Sequence, residues 1–149
     1  MASPIRVPQR AYVPAQQFNA QPSVFFHTAG GFGVNLHQVR LGDYSALLNG
    51  DAVNNIPAPR IGIRILWPGY EDWFFRNLVV HNNSGEPYDI KRIANSLAGR
   101  IDQFLTEMRN NPPVDCVQWN LQGITLDRLY LVELRNVAAG SWQPIINFL

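Results

Sequence analysis

A chain of 149 residues suffices for one domain that buries roughly two thirds of the surface its unfolded form exposes, so its core needs no staple. The net charge of +1 removes the long-range field that drives binding to phosphate backbones or anionic membrane surfaces, so neither nucleic acid nor membrane is an expected partner. A single cysteine, Cys116, excludes an intrachain disulfide framework and a cysteine-rich zinc module. With no signal-peptide core and no apolar run of membrane length, the expected location is intracellular, in the cytoplasm.

Residues 1–23 carry four prolines, four glutamines and two arginines, a composition that favours extended backbone over a core of its own. They read as an arm. Either it is solvated, or it lies along a partner or a neighbouring subunit through Ile5, Val7, Tyr12, Val13 and Phe18. Residues 24–149 read as a single α+β domain.

Residues 24–26 form a short apolar run that ends in Ala29, Gly30, Gly31, Phe32 and Gly33, as a strand entering a turn does. These glycines lack the dinucleotide-binding spacing and have no phosphate-binding lysine, so no nucleotide cofactor is expected. Residues 34–48 fit a strand or short helix followed by a helical turn. Pro57 and Pro59 then break the chain, and residues 60–67 alternate, with Ile61, Ile63, Ile65 and Trp67 on one side. Pro68, Gly69 and Tyr70 make a turn, and residues 73–81 supply a second strand antiparallel to the first.

The strongest signal covers residues 89–109. Ile90, Ile93, Ala94, Leu97, Ala98, Ile101, Phe104, Leu105 and Met108 step round one face of a 3.6-residue helix. Asp89 is placed as its N-cap, and Asn110, Asn111, Pro112 and Pro113 stop it. Strands are expected over residues 116–121, 129–134 and 142–149, with a turn at Ala138, Ala139 and Gly140. Strands, one long helix and more strands predict a small, mostly antiparallel sheet with the helix on one face.

The chemistry-bearing residues are sparse. His27, His37 and His81 have no metal-ligand spacing, so no metal site is expected, and neither Ser141 nor Cys116 sits in a nucleophile motif. Glu71 and Asp72 with His81 are the residues a small hydrolase or nuclease would have to use. Trp67, Tyr70, Trp73, Phe74 and Phe75 crowd one turn. They pack a core there, or with Arg64, Arg76 and Trp142 they make an aromatic surface for a protein or a carbohydrate. Eleven of the twelve basic residues are Arg, the better cation for interface contacts, although biased codon usage gives the same count.

Gly33-Val34-Asn35-Leu36, the segment from Arg64 to Trp73 with its W-P-G-Y-x-x-W spacing, and Gly140-Ser141-Trp142-Gln143-Pro144 resemble uncharacterised proteins of mushroom-forming fungi. The likeness covers residues 33–149 and leaves out the arm. The chain is also distantly similar to fungal domains of unknown function built from strands around one helix. The resemblance implies a fungal intracellular domain and carries over no catalytic residue, since none is established for the group. The reading that follows is a non-enzymatic protein-interaction or self-assembly module, with itself or another chain as partner.

Overall fold

The computed structural model describes residues 3–111 and 118–149. Its elements in chain order are β1 (Ile5–Arg6), β2 (Val24–Phe25), β3 (Val34–Asn35), α1 (Leu36–Arg40), β4 (Arg60–Ile65), β5 (Trp73–Val79), α2 (Ile90–Met108), β6 (Leu129–Ala138) and β7 (Ser141–Phe148). The seven strands form one sheet in the order β2-β6-β7-β4-β5, with β3 also paired to β6 and β1 also paired to β7. All pairings are antiparallel except β4 with β7. The class is therefore α+β, a mostly antiparallel sheet with one long helix.

α2 forms where the periodicity places it. Asp89 Oδ1 accepts from the Arg92 N–H at 3.1 Å and so satisfies one of the unpaired donors of the first turn. Every apolar residue of the expected stripe is buried, and Ile93, Ala94, Leu97, Ala98, Ile101, Phe104 and Leu105 are fully inaccessible. The stripe packs into a single core with Ile61, Ile63 and Ile65 of β4, Leu131 and Leu134 of β6, and Trp142 and Ile146 of β7.

β7 is buried along all but its last residue. Its Trp142 and Ile146 belong to the core, whereas Ser141, Gln143 and Asn147 are buried polar residues that need partners. The arm, the loop at Phe32 and Arg64 of β4 supply them. Asn147 Oδ1 accepts from Arg6 Nε at 2.7 Å, and its Nδ2 donates to Phe32 O at 2.9 Å. Gln143 Nε2 donates to Gln9 Oε1 and to Arg10 O, both at 3.1 Å.

Residues 5–10 accordingly belong to this chain's own sheet, and residue 23 is not a boundary of it. Ile5 pairs with Phe148, Arg6 pairs with Asn147, and the Val7 N–H donates to Ile146 O at 2.9 Å. Gln9 then bridges the gap between β7 and the end of β4. Its Nε2 donates to Pro144 O at 2.6 Å while its Oε1 accepts from the Leu66 N–H at 3.0 Å. Arg10 ties down the following turn through Trp67 O, Tyr70 O and Asp72 Oδ1 at 3.1, 2.9 and 2.6 Å. A segment without local propensity is thus ordered by backbone groups that the sheet leaves open.

Two further expectations are corrected. The strand expected over residues 116–121 is, in its described part, a turn at Gln118 and Trp119 leading into a 3-10 turn at Leu121–Gly123, because Asn120 Oδ1 caps the Gln122 N–H at 3.0 Å. Cys116 and the prolines at 112 and 113 lie outside the described residues. β6 runs to Ala138 rather than stopping at residue 134, since its partner β7 extends the ladder to the Ala138–Ser141 pair.

Gly33 marks the closest approach of the loop to β6. Its φ is +100°, and a Cβ there would stand 2.5 Å from Leu131 O. Gly33→Ala is expected to destabilise the fold by at least about 2 kcal/mol through left-handed strain plus a backbone clash. Gly123→Ala, where nothing lies within 4 Å of the added methyl, stays within about 0.5 kcal/mol of the parent in urea denaturation.

Candidate functional site

The aromatic residues of the W-P-G-Y-x-x-W turn are core, and the expectation that they form an open binding surface is corrected. Relative exposures are 0% for Trp67, 5% for Tyr70, 8% for Trp73 and 2% for Trp142. Trp67 packs on Phe104 and edge-on to Trp119 at centroid distances of 5.9 and 6.2 Å, and its indole N–H donates to Trp119 O at 2.9 Å. The Tyr70 hydroxyl accepts from the Leu121 N–H at 2.9 Å. Trp73 meets Phe104 edge-on, and its indole N–H donates to Glu107 Oε2 at 2.8 Å. That bond, with a second from Gln103, holds the Glu107 carboxyl below its ordinary pKa. The helix stripe needed aromatic volume opposite Phe104, and this turn provides it.

The acid and histidine candidates do not meet. Glu71 is exposed, and Asp72 is ion-paired to Arg10 at 2.6 Å. His81 Nε2 lies 2.9 Å from Ile56 O, beyond the opposite end of β5. At about 3.3 Å per residue, that strand separates them by more than about 20 Å, too far to act on one substrate atom. Among the described residues no group of three or more His, Cys, Asp or Glu could hold a metal ion, and no helix is long and apolar enough to cross a membrane.

Four of the residues singled out from the sequence do come together: Tyr12, Arg64, Phe74 and Arg76. The Arg64 guanidinium lies between the rings of Tyr12 and Phe74, 4.2 Å from each centroid, and its Nε donates to Ser141 Oγ at 3.0 Å. Arg76 approaches the same Phe74 ring at 5.8 Å. Phe74 can lie flat there because residue 62 is glycine: a Cβ would stand 2.4 Å from its ring edge. Of the other arm residues, Val7 is buried in this chain's core, Ile5 and Val13 are exposed, and Phe18 is half-buried.

This cluster sits on the margin of β5, the last strand of the sheet. The two sheet edges differ. Beyond β2 the Asn49 side chain imitates a strand, accepting from the His27 N–H at 3.0 Å and donating to Phe25 O at 2.9 Å, while the Leu48 N–H donates to His27 O at 2.7 Å. That edge is closed. Among the described residues no backbone group pairs with the outer side of β5, which leaves seven residues of open edge with Phe74 and Val79 each 39% exposed.

Cations surround the open edge. Arg60 and Arg64 stand on β4, Arg76 on β5, and Arg92 and Arg100 on α2, and none of the five is ion-paired among the described residues. Arg100 stacks on Phe75 at 4.3 Å and Arg92 on Tyr88 at 4.1 Å. Between α2 and β5 runs a cavity of about 520 Å³ whose lining includes Arg40, Arg92, Arg100, Asn77 and Asn95 and no acidic residue. The helix members were visible in the sequence as a polar stripe with four-residue spacing. Their neighbourhood with β5 was not.

Comparison with protein-family models, curated proteins and solved structures finds no match to this chain.

With all four tryptophans under 10% exposed, native fluorescence is expected to be blue-shifted and barely quenched by acrylamide. Quenching of the native protein as strong as in urea would place these rings back on the surface.

Proposed function

We propose that the protein is a non-enzymatic interaction module that adds an extended, acidic segment of a partner protein to the open edge of β5. The observation that carries this reading is a seven-residue edge that, among the described residues, is unpaired and bordered by five arginines without carboxylate partners. Strand addition draws affinity from main-chain hydrogen bonds and specificity from side chains on either face. Arginines flanking the edge supply the charge selection. A net charge of only +1 makes that selection local, a matter of placement rather than of total field.

Self-assembly through the same edge is disfavoured by Arg76. In the fully overlapping antiparallel register of two β5 strands, Arg76 at the centre faces its own copy, and like charges directly opposite destabilise a pair. A carbohydrate platform has no free tryptophan or tyrosine face at the W-P-G-Y-x-x-W turn, and the hydrolase reading lacks converging groups. The likeness to proteins of mushroom-forming fungi supplies a setting, the interior of a fungal cell, and no chemistry.

Fluorescence anisotropy with a labelled decapeptide of alternating Glu and Val tests the proposal. It is expected to bind with an affinity that falls as salt rises, and Arg76→Glu weakens it by roughly tenfold or more. The same peptide with Lys in place of Glu is expected not to bind. Equal binding of the two peptides, or tighter binding of a single-stranded oligonucleotide, would overturn it.

A further inference from the structure

The outward face of α2 presents Arg92, Asn95, Ser96, Gly99 and Arg100 along one side of the cavity beside β5. Arg92 and Arg100 are two turns apart, about 12 Å along the axis, and the residues between them are short. A third guanidinium enters from α1. A Cβ at Gly99 would stand 3.6 Å from Arg40 Nη1, so this side chain lies against α2 at the Arg100 end of the groove. Asn95 fixes that approach by donating to Val39 O at 2.7 Å, which holds the end of α1 against the helix.

The three arginines are lightly committed. Arg40 Nε is 3.9 Å from Asp102 Oδ2, with both side chains about half exposed, and Arg100 gives one N–H to Gln103 Oε1 at 2.8 Å. Arg92 and Arg100 stack on rings, an arrangement that leaves guanidinium N–H donors in the plane free to bond. A carboxylate offers such a set two oxygens and one charge. A phosphate monoester offers three acceptor oxygens and a charge of about −1.5 to −2, the better match to three guanidiniums in a groove without acids.

We infer that this groove seats a phosphorylated serine or threonine of the segment that docks on β5, an assignment that rests on the strand-addition reading above. The edge holds the main chain, and the groove reads one phosphorylated side chain. The partner is then bound more tightly once a kinase has acted on it.

Three decapeptides of alternating Glu and Val, with serine, glutamate or phosphoserine at one central position, are titrated into the full chain by anisotropy. Phosphoserine is expected to bind about tenfold tighter than glutamate. Arg92→Gln with Arg100→Gln brings the phosphoserine and glutamate peptides to within about twofold of each other, and Arg40→Gln alone narrows the gap in part. Circular dichroism checks that substituting the exposed Arg40 and Arg92 and the half-buried Arg100 leaves the fold intact. Equal affinity of the phosphoserine and glutamate peptides, or a preference that survives the double substitution, overturns the phosphate seat and leaves strand addition standing. No binding of any of the three overturns strand addition, and the seat with it.

Discussion

The burial of the α2 stripe is the constraint from which the rest of this structure follows. A helix with nine buried positions must be covered by a surface of matching area, and the isoleucine face of β4 alone is too narrow to do it. The remaining cover comes from large rings: Trp67 and Trp73 close around Phe104, and Trp119 closes around Trp67. Aromatic residues that elsewhere make an interface are thereby spent on the interior, where Trp119 O satisfies the Trp67 indole, while the surface carboxylate of Glu107 satisfies that of Trp73. What the helix leaves at the surface is its other face, whose N-terminal half holds Lys91, Arg92, Asn95, Ser96, Gly99 and Arg100 and whose C-terminal half holds Asp102, Gln103, Thr106 and Glu107.

The same constraint explains the arm. Once α2 covers one face of β7, the opposite face carries Gln143 and Asn147, which are too polar to pack against a second apolar layer. Arg6, Gln9 and Arg10 supply hydrogen bonds instead of hydrophobic area. Proline and glutamine suit this role, since the segment must stay extended and bond sideways rather than fold on itself. With the arm in place, β7 is closed on its outer side and the β2 edge is closed by Asn49. Among the described residues β5 is the long edge strand that no backbone group covers, and arginines of β4, β5 and α2 gather there.

Much of this was legible in the residues. α2 and its cap follow from a period of 3.6 and one aspartate, and β4 with β5 follows from alternation broken by Pro68-Gly69. What was not legible is non-local. The parallel pairing of β4 with β7 joins residues nearly eighty positions apart, and no periodicity within either strand encodes its neighbour. Burial of Trp67 and Trp73 depends on where Phe104 lands, so five aromatic residues at one turn left both core and surface readings open, with core the better one. The identity of the open edge depends on strand order, and the arginines that flank it come from β4, β5 and α2, elements that only the fold brings side by side. The extended arm was legible, but its docking on this chain's own sheet was not, because its order comes from groups more than fifty residues away.

One closed edge and one open edge is the physical feature on which recognition depends, and hydrogen exchange read amide by amide tests it most directly. The outward half of the β5 amides is expected to exchange far faster than the amides of β6 and β7, while the His27 amide, held by Asn49, is protected. Outward β5 amides as slow as those of β7 in the isolated monomer would mean that this edge is already covered, and would contradict the reading.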